Sequence, residues 1–594
     1  MMAGETSKTA AAASINWGII AALWLVLTIA LVAINWQRSL ALNLGDTDDN
    51  MRLMQVRNWL AGQGWFDLRQ YRMGPPAGFS MHWSRLVDLP IAGIIVIATP
   101  IVGGPIAEAL AVALAPLLTM AAAMAAMAIV AARLVGSRAV LLSVVLLIAV
   151  SLQALGPTRI DHHGWQLVFT LTMLAGLADR QQRRGGLVTG LAAAAGLAIG
   201  LEILPHVVAA AGFVVARWIV DPGQAVRLRS LGLSIGGGTL LAFGAFVAPQ
   251  SYAIGYCDSL SPVWLSAALA GGGLALLLPF AGRLLLPVRA GVAAIAGAGI
   301  AIALLGVWPA CAAGPYGNID AELQRTWLDR IIEAQPLLSR GPASVIGYGV
   351  LLAAALGGAA IRWRQAGDRD DRAGWLGYAM FVLASSALVV WQIRAGQLAV
   401  VLVIPGAVAL LFDLLPRVRA AQARLPAVAG RWILVATMAG LGLLAWKPPF
   451  QQQEAAIATK TGGLQCGDAK SLVVLDRFPK SYILAEMDLG PAILVHTRHS
   501  VLSGPYHRNT DAVRDTLRFW NGTAATAGAI AARRGVDFVL ACQRPLPAKR
   551  DNVISEALSA GIAPDWLLPV ALPPKSPLRL YRMRPQRTAS APES

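Results

Sequence analysis

The chain has 594 residues, of which 56% are hydrophobic and 14% charged, with a mean hydropathy of +0.59. That length would hold several soluble domains, but repeated apolar runs of about 20 residues describe a polytopic α-helical membrane protein instead. The net charge of +17 invites a nucleic-acid partner, yet much of the Lys and Arg lies in short loops between apolar runs, where it signals topology; no nucleic acid is expected.

The N-terminal MMAGETSKTAAAASINW carries one Lys and no obvious small-residue cleavage site. It leads into an apolar span over roughly 14–36, which predicts an uncleaved anchor rather than a signal peptide. The first loop, 37–88, is dense in charge: Asp46, Asp48 and Asp49 stand beside Arg52 and Arg57, with Arg69, Arg72 and Arg85 following. Carboxylates two residues apart can share one hard divalent cation, and arginines can hold a ligand's phosphates on it. The plainer reading is a solvated, salt-bridged loop. Met51, Met54, Val56 and Leu60 fall near helical spacing and predict an amphipathic helix on the membrane surface.

Residues 89–104 are apolar but broken by Pro and Gly, which predicts a shallow segment on the loop side. The next span, about 106–131 by run length, ends at Arg133 and Arg138 on the cytoplasmic side. A span at about 138–154 then returns the chain and delivers GPTRIDHHGW to the compartment of Asp46 and Asp48. Asp161 and His163 could reach one cation from an extended segment, and an oxygen-plus-nitrogen set suits Mn²⁺ well and Mg²⁺ tolerably. The plainer reading pairs Asp161 with Arg159.

Basic loops continue at Arg180 to Arg184, Arg217 to Arg229, Arg283 to Arg289, Arg362 to Arg372 and Arg417 to Arg431. They alternate with other-side loops to give about 13 spans, with the N-terminus cytoplasmic and the C-terminal tail periplasmic, in a bacterial-type inner membrane. In the external loop 310–342, before the tenth span, Glu333 of TWLDRIIEAQPL could hold or polarise an acceptor N–H, or pair with Arg330 or Arg340. Arg394 in WQIRAGQLAV has almost no polar neighbours in sequence. A charge at that depth needs an anionic partner, either a lipid headgroup or a ligand diphosphate. Glu202 and His206 read as structural partners.

Residues 1–446 thus form a transmembrane domain and 447–594 a soluble α/β domain. The tail's expected strands are SLVVLDRF, AILVHT, VDFVLAC and PLRLYRM, with a helix from TDAVRDTLRFW to AIAARRG. Its His496, His499 and His507 match no standard zinc spacing. Cys257 and Cys311 lie in loops, Cys466 and Cys542 in the tail; they allow two bridges if all four face an oxidising compartment.

Together these residues resemble the catalytic subunit of oligosaccharyltransferase, within the GT-C type of membrane glycosyltransferases that use polyprenyl-linked donors. GDTDDNMR followed by WFD and HWSRLVD looks like that family's first external loop, whose aspartate binds a divalent metal; Asp46 and Asp48 are the candidates. DHH looks like its second metal motif, which implies Asp161 and His163 as further ligands. Glu333 in EAQP matches the glutamate that engages the acceptor amide, and Arg394 sits where an arginine meets the donor diphosphate, with Arg52 or Arg85 assisting. The resemblance implies that Asp46, Asp48 and Glu333 act in catalysis with Mn²⁺ or Mg²⁺.

The tail departs from the family. Where Trp-Trp-Asp and an aromatic-containing Gly segment are expected, the chain has Ala485-Glu486-Met487-Asp488-Leu489-Gly490, leaving Asp488 as an acceptor-binding candidate. The implied activity moves a sugar or oligosaccharide from a polyprenyl-(di)phosphate to a protein, lipid or glycan acceptor on the periplasmic face. The alternatives are the same fold glycosylating a lipid or envelope glycan, a transporter or flippase, which predicts repeated halves and mid-span ionisable residues, and a non-catalytic assembly factor.

Overall fold

The computed structural model describes residues 15–317, 319–421, 465–543 and 553–584. Helix α1 (Trp17–Leu40) starts at Asn16, whose side chain accepts the Ile19 N–H at 3.2 Å. The first loop follows, with helix α2 (Thr47–Leu60) and a small hairpin of β1 (Arg69–Gln70) and β2 (Phe79–Ser80). Then come α3 (Arg85–Val102), α4 (Gly104–Leu134), α5 (Val140–Leu155), α6 (His163–Leu177), α7 (Gln182–Ile199), α8 (Leu204–Val220), α9 (Ala225–Phe246), α10 (Pro262–Leu277) and α11 (Leu286–Val307). After the short α12 (Ala321–Thr326), α13 (Pro342–Gln365), α14 (Arg369–Trp391) and α15 (Gly396–Ala421) complete the bundle.

Among the described residues, ten helices are long and apolar enough to cross a membrane, and the protein is a multi-pass membrane protein. The sequence count of about 13 included α6, α7 and α9, which are not among the ten. It also included the stretch between Arg431 and Lys447, which lies outside the described residues. The three helices are held by backbone-to-backbone packing as much as by apolar surface. A Cβ on Gly232 of α9 would lie 2.5 Å from the Gly272 carbonyl of α10, and one on Gly190 of α7 would lie 2.8 Å from the Leu231 carbonyl of α9, the close approach that small residues permit between membrane helices.

The segment expected to be shallow is instead a continuous 18-residue helix, α3. Its Ile91, Ala92 and Ile95 share a core with Ala111, Val112 and Ala115 of α4, and that burial is what turns an interrupted apolar run into a helix. The Val112 carbonyl accepts the Thr158 N–H at 2.8 Å, so α4 passes the level of the DHH motif there. The remainder of α4, to Leu134, is about 33 Å long at 1.5 Å per residue, enough to cross a bilayer core.

The two ends of the bundle differ. At one end the basic loops meet carboxylates: Arg133 and Arg184 converge on Asp179 at 2.8 and 2.5 Å, Arg180 reaches Asp368 and Asp371, and Arg217 reaches Asp370. At the other end lies the disulfide Cys257–Cys311, and the tail carries Cys466–Cys542. Both pairings that the sequence allowed are formed.

The tail holds a five-stranded sheet in the order β4 (Ser500–Val501), β3 (Tyr482–Ala485), β5 (Phe538–Cys542), β7 (Leu578–Met583), β6 (Leu567–Val570). Strand β3 is parallel to both its neighbours, and β7 antiparallel to both of its own. VDFVLAC and PLRLYRM supply strands as expected. SLVVLDRF forms short helical turns, and AILVHT lies in a helix, Gly490–His496, because a short continuous apolar run has no period that tells strand from buried helix. The expected single helix is broken at Gly522 into Thr510–Asn521 and Ala524–Arg534, the second capped by Thr523.

Tail and first loop form one body. Met51, Leu53, Met73 and Trp83 share a hydrophobic core with Ile483, Ile493 and Leu540. Backbone bonds from Gly74 to Val501 and from Val501 to Arg72, both 2.8 Å, extend the sheet edge into the first loop. Arg57 pairs with Glu108 at 2.7 Å and donates to the Val495 carbonyl at 2.7 Å.

Candidate active site

The site is built where the first loop meets the turn between α5 and α6. Asp46 caps α2: its Oδ1 accepts the N–H groups of Asp48 (2.9 Å) and Asp49 (3.2 Å), and the Asp49 carboxylate answers by accepting the Asp46 N–H at 3.0 Å, a capping box built from two aspartates. Asp49, fully buried, also accepts the N–H groups of Ile160 (2.7 Å) and Asp161 (2.9 Å) on its other oxygen. One side chain therefore ties the two acidic motifs together. Gly45 is required beside it, since a Cβ there would lie 2.6 Å from Asp49 Oδ2 and against the Arg159 side chain.

The turn is held in a conformation it would not choose. Thr158 has φ +74°, a strained region for a β-branched residue that costs about 1–3 kcal/mol. Its N–H bond to Val112 and its carbonyl bond from Gly45 (3.3 Å) hold it there. Arg159 is thereby aimed into the acidic cluster, where it contacts Asp46 Oδ2, Asp49 Oδ2 at 3.0 Å and Asp161 Oδ2 at 2.6 Å. Burial raises the Asp161 carboxyl, and Arg159, His163 and His162 outweigh it and hold the group below the usual carboxylate range.

Asp46 and Asp161 are thus brought together through one guanidinium, which is also the pairing of the plainer sequence reading. Asp48 is half-buried next to them. Burial first, then Asp46, push its carboxyl up to about 7, with His163 opposing and Asp161 and Glu333 adding to the rise. His163 donates its backbone N–H to Asp161 Oδ1 at 2.9 Å. Its ring turns toward His162 (4.4 Å between centroids) and Gln166 (3.3 Å). Glu202, read from sequence as a structural partner, contacts Gln166 and lies 3.6 Å from His162 Nε2.

Glu333 and Arg394 lie 3.7 Å apart, although 61 positions (394 − 333) separate them in sequence. The Ile393 N–H bonds the Gln335 carbonyl at 2.9 Å, docking the external loop on the turn that carries Arg394. Arg394 also reaches the Tyr316 hydroxyl at 3.4 Å. Glu333 pairs with neither Arg330 nor Arg340 among the ion pairs of the described residues. Asp488 is exposed, in the turn Met487–Leu489, and acts electrostatically on Tyr506, whose hydroxyl donates to the Thr47 carbonyl at 3.1 Å.

Arg52 and Arg85, expected to assist at the donor phosphate, lie inside the first loop. Both are 1% exposed and share Asp88, itself 1% exposed, at 2.9 and 3.1 Å. Arg52 lies 4.3 Å over the Trp83 ring, and Arg85 donates to the carbonyls of Gln55 and Asp67. Both guanidiniums are thus buried beside one shared carboxylate. The tail histidines diverge as well: His499 bonds Leu475 and Ser481, while His507 lies on Asp258.

The donor set fits a hard divalent ion. Carboxylate oxygens of Asp46, Asp49 and Asp161 lie within 4.8 Å of one another, a spacing that allows shared ligation at about 2.0–2.6 Å per bond. Asp49 is already committed to backbone N–H groups, so Asp46 and Asp161 are the available pair, with Asp48 and His163 beside them. Arg159 lies among these carboxylates, so a cation ligated there would have to displace it. Sequence reasoning passed over Asp49 as a scaffold and Tyr316 as a partner of Arg394; it had Arg159 as a partner of Asp161, two residues on, but not of Asp46 and Asp49.

No family model and no curated protein sequence matches the chain. Solved structures do. The oligosaccharyltransferase AglB from Archaeoglobus fulgidus, in complex with an inhibitory peptide and a dolichol-phosphate, is 13% identical with a TM-score of 0.60, covering 87% of this chain and 69% of that one. The apo form of the A. fulgidus enzyme gives 14% and 0.56 over 87% and 69%. Its complex with Zn and sulfate gives 11% and 0.56 over 84% and 64%. The chain has the fold of these enzymes.

Proposed function

We propose that the protein is a membrane glycosyltransferase that moves a sugar or oligosaccharide from a polyprenyl-(di)phosphate to an acceptor on the periplasmic face. The observation that carries this reading is the meeting of Asp46 and Asp161 on Arg159 at one end of a bundle that shares the AglB fold. Asp46, Asp161, Asp48 and His163 would hold Mn²⁺ or Mg²⁺, which when bound neutralises charge on the departing phosphate. Arg394 would bind the same phosphate, leaving Glu333, 3.7 Å away, to do so. Asp46 and Glu333 would orient and activate the acceptor, one of the two carboxylates taking its single proton, as its nucleophile attacks the anomeric carbon and the C–O bond to phosphate breaks with its electrons going to the phosphate. Preorganised charge at the leaving oxygen is the principal catalytic device.

The tail favours an acceptor other than an Asn-X-Ser/Thr peptide. Ala485 and Leu489 are buried, and Met487 packs against Leu323, Trp327, Leu328 and Val513, so the segment presents no pair of tryptophans to a peptide. A lipid or envelope glycan is the second reading. Comparing glycoproteins and glycolipids of a deletion strain by mass spectrometry separates the two. Complementation with Asp46→Ala or Asp161→Ala, each shown to be inserted, is expected to fail; rescue by both would refute the assignment.

A further inference from the structure

Three side chains from distant stretches converge at the site-side end without sharing a residue with the Asp46–Asp161 cluster. They are His82 from the first loop, Asp258 beside the Cys257–Cys311 disulfide, and His507 from the tail, and their ligand atoms lie within 4.8 Å of one another. His507 Nε2 is 2.7 Å from Asp258 Oδ2, and the two imidazole rings are 4.5 Å apart. His82 Nδ1 is buried with no hydrogen-bond partner, a condition that native structures rarely leave unexplained. Arg508 braces the carboxylate from behind, donating Nε to Oδ2 at 2.7 Å and Nη2 to Oδ1 at 2.6 Å, while Ser259 takes a further bond from Nη2 at 2.8 Å. The Tyr316 ring stands edge-on to His507 at 5.2 Å.

Two imidazole nitrogens and one carboxylate oxygen are a zinc donor set, with a fourth position left for water or a ligand oxygen. A ligating carboxylate that is itself hydrogen-bonded, as Asp258 is by Arg508, has the bracing such sites use to fix orientation. We propose that His82, Asp258 and His507 bind one Zn²⁺ ion that clamps the tail onto the first loop and the disulfide-bonded loop. The ion replaces the His507–Asp258 hydrogen bond with two metal bonds and gives His82 Nδ1 its missing partner. Because Tyr506 precedes His507 and bonds Thr47, the clamp also fixes the tail residue lying over the Asp46 cap. The site stands independently of the sugar-transfer reading.

The test is zinc content and cobalt spectroscopy of the purified full-length protein in detergent. After dialysis, wild type and Asp161→Asn are each expected to retain about one zinc per chain, and Co²⁺ in its place gives the intense visible bands of a four-coordinate ion. His82→Ala and His507→Ala, with size-exclusion profile and Cys257–Cys311 linkage unchanged, lose both. X-ray absorption at the zinc edge of wild type reads the ligands even where the variants fail to fold; nitrogen and oxygen neighbours at about 2.0–2.1 Å, two of them imidazole, are expected. A wild type that retains no zinc, an edge spectrum without two imidazoles, or a folded His82→Ala that keeps the cobalt bands overturns the proposal.

Discussion

Asp49 accepts the backbone N–H of Asp161 at 2.9 Å on the oxygen that also takes the N–H of Ile160. The first acidic motif therefore sets the backbone of the second, and the two form one unit. Removing that buried acceptor orphans two N–H groups in the protein interior. Asp49→Ala is expected to cost about 3 kcal/mol, read as a lowered unfolding temperature, and to eliminate divalent-ion binding with it. A variant with wild-type stability would show that the motifs are held together by other contacts.

Arg159 occupies the carboxylates that a cation would use. Arg159→Gln removes the competitor, so Mn²⁺ is expected to bind about tenfold more tightly and to raise the unfolding temperature more than it does in wild type. Weaker binding in calorimetry would mean that Arg159 helps to form the metal site rather than competing for it.

Asp48 gives the pH dependence. Its carboxyl is raised to about 7 by burial and by Asp46, so below that pH a metal ion has to displace a proton. Mn²⁺ affinity is expected to fall as pH drops through about 7, by up to about tenfold per unit, and to keep rising above it toward about 9, where His163, lowered by burial but raised further by Asp161, Glu202 and Asp48, gives up its own proton. Asp48→Asn weakens binding and flattens the curve. Titrations at pH 6, 7 and 8 decide this; equal affinity at all three removes Asp48 from the ligand set.

Arg52, Arg85 and Asp88 serve stability. Asp88→Asn leaves two buried cations uncompensated and is expected to cost about 3–5 kcal/mol, seen as poor folding yield. Arg394→Gln instead leaves the fold intact and raises the donor KM. A stable Asp88→Asn with altered donor KM would return Arg52 and Arg85 to the ligand.

Much of this was legible from residue spacing. Loops rich in Arg marked one end and the loops carrying Asp46 and Asp161 the other, and the spacing of Met51, Met54 and Val56 marked a helix, although α2 is buried against the tail rather than laid on the membrane surface. What spacing did not reveal were the long-range partners. Asp88 looked no different from any loop carboxylate, yet it captures two arginines at once. His507 was read with its sequence neighbours His496 and His499, whereas its partners, His82 and Asp258, come from other loops. Runs such as AILVHT carried no period, so the helix they form is decided by packing against α2 and the sheet.

The most direct measurement is donor turnover by the purified protein. Radiolabelled polyprenyl-phosphate and polyprenyl-diphosphate sugars are incubated with it, with and without Mn²⁺, and the lipid product is separated by chromatography. The account expects Mn²⁺-stimulated release of polyprenyl (di)phosphate that vanishes in Asp46→Ala. Donor left intact under every condition, or equal turnover by Asp46→Ala, would contradict it.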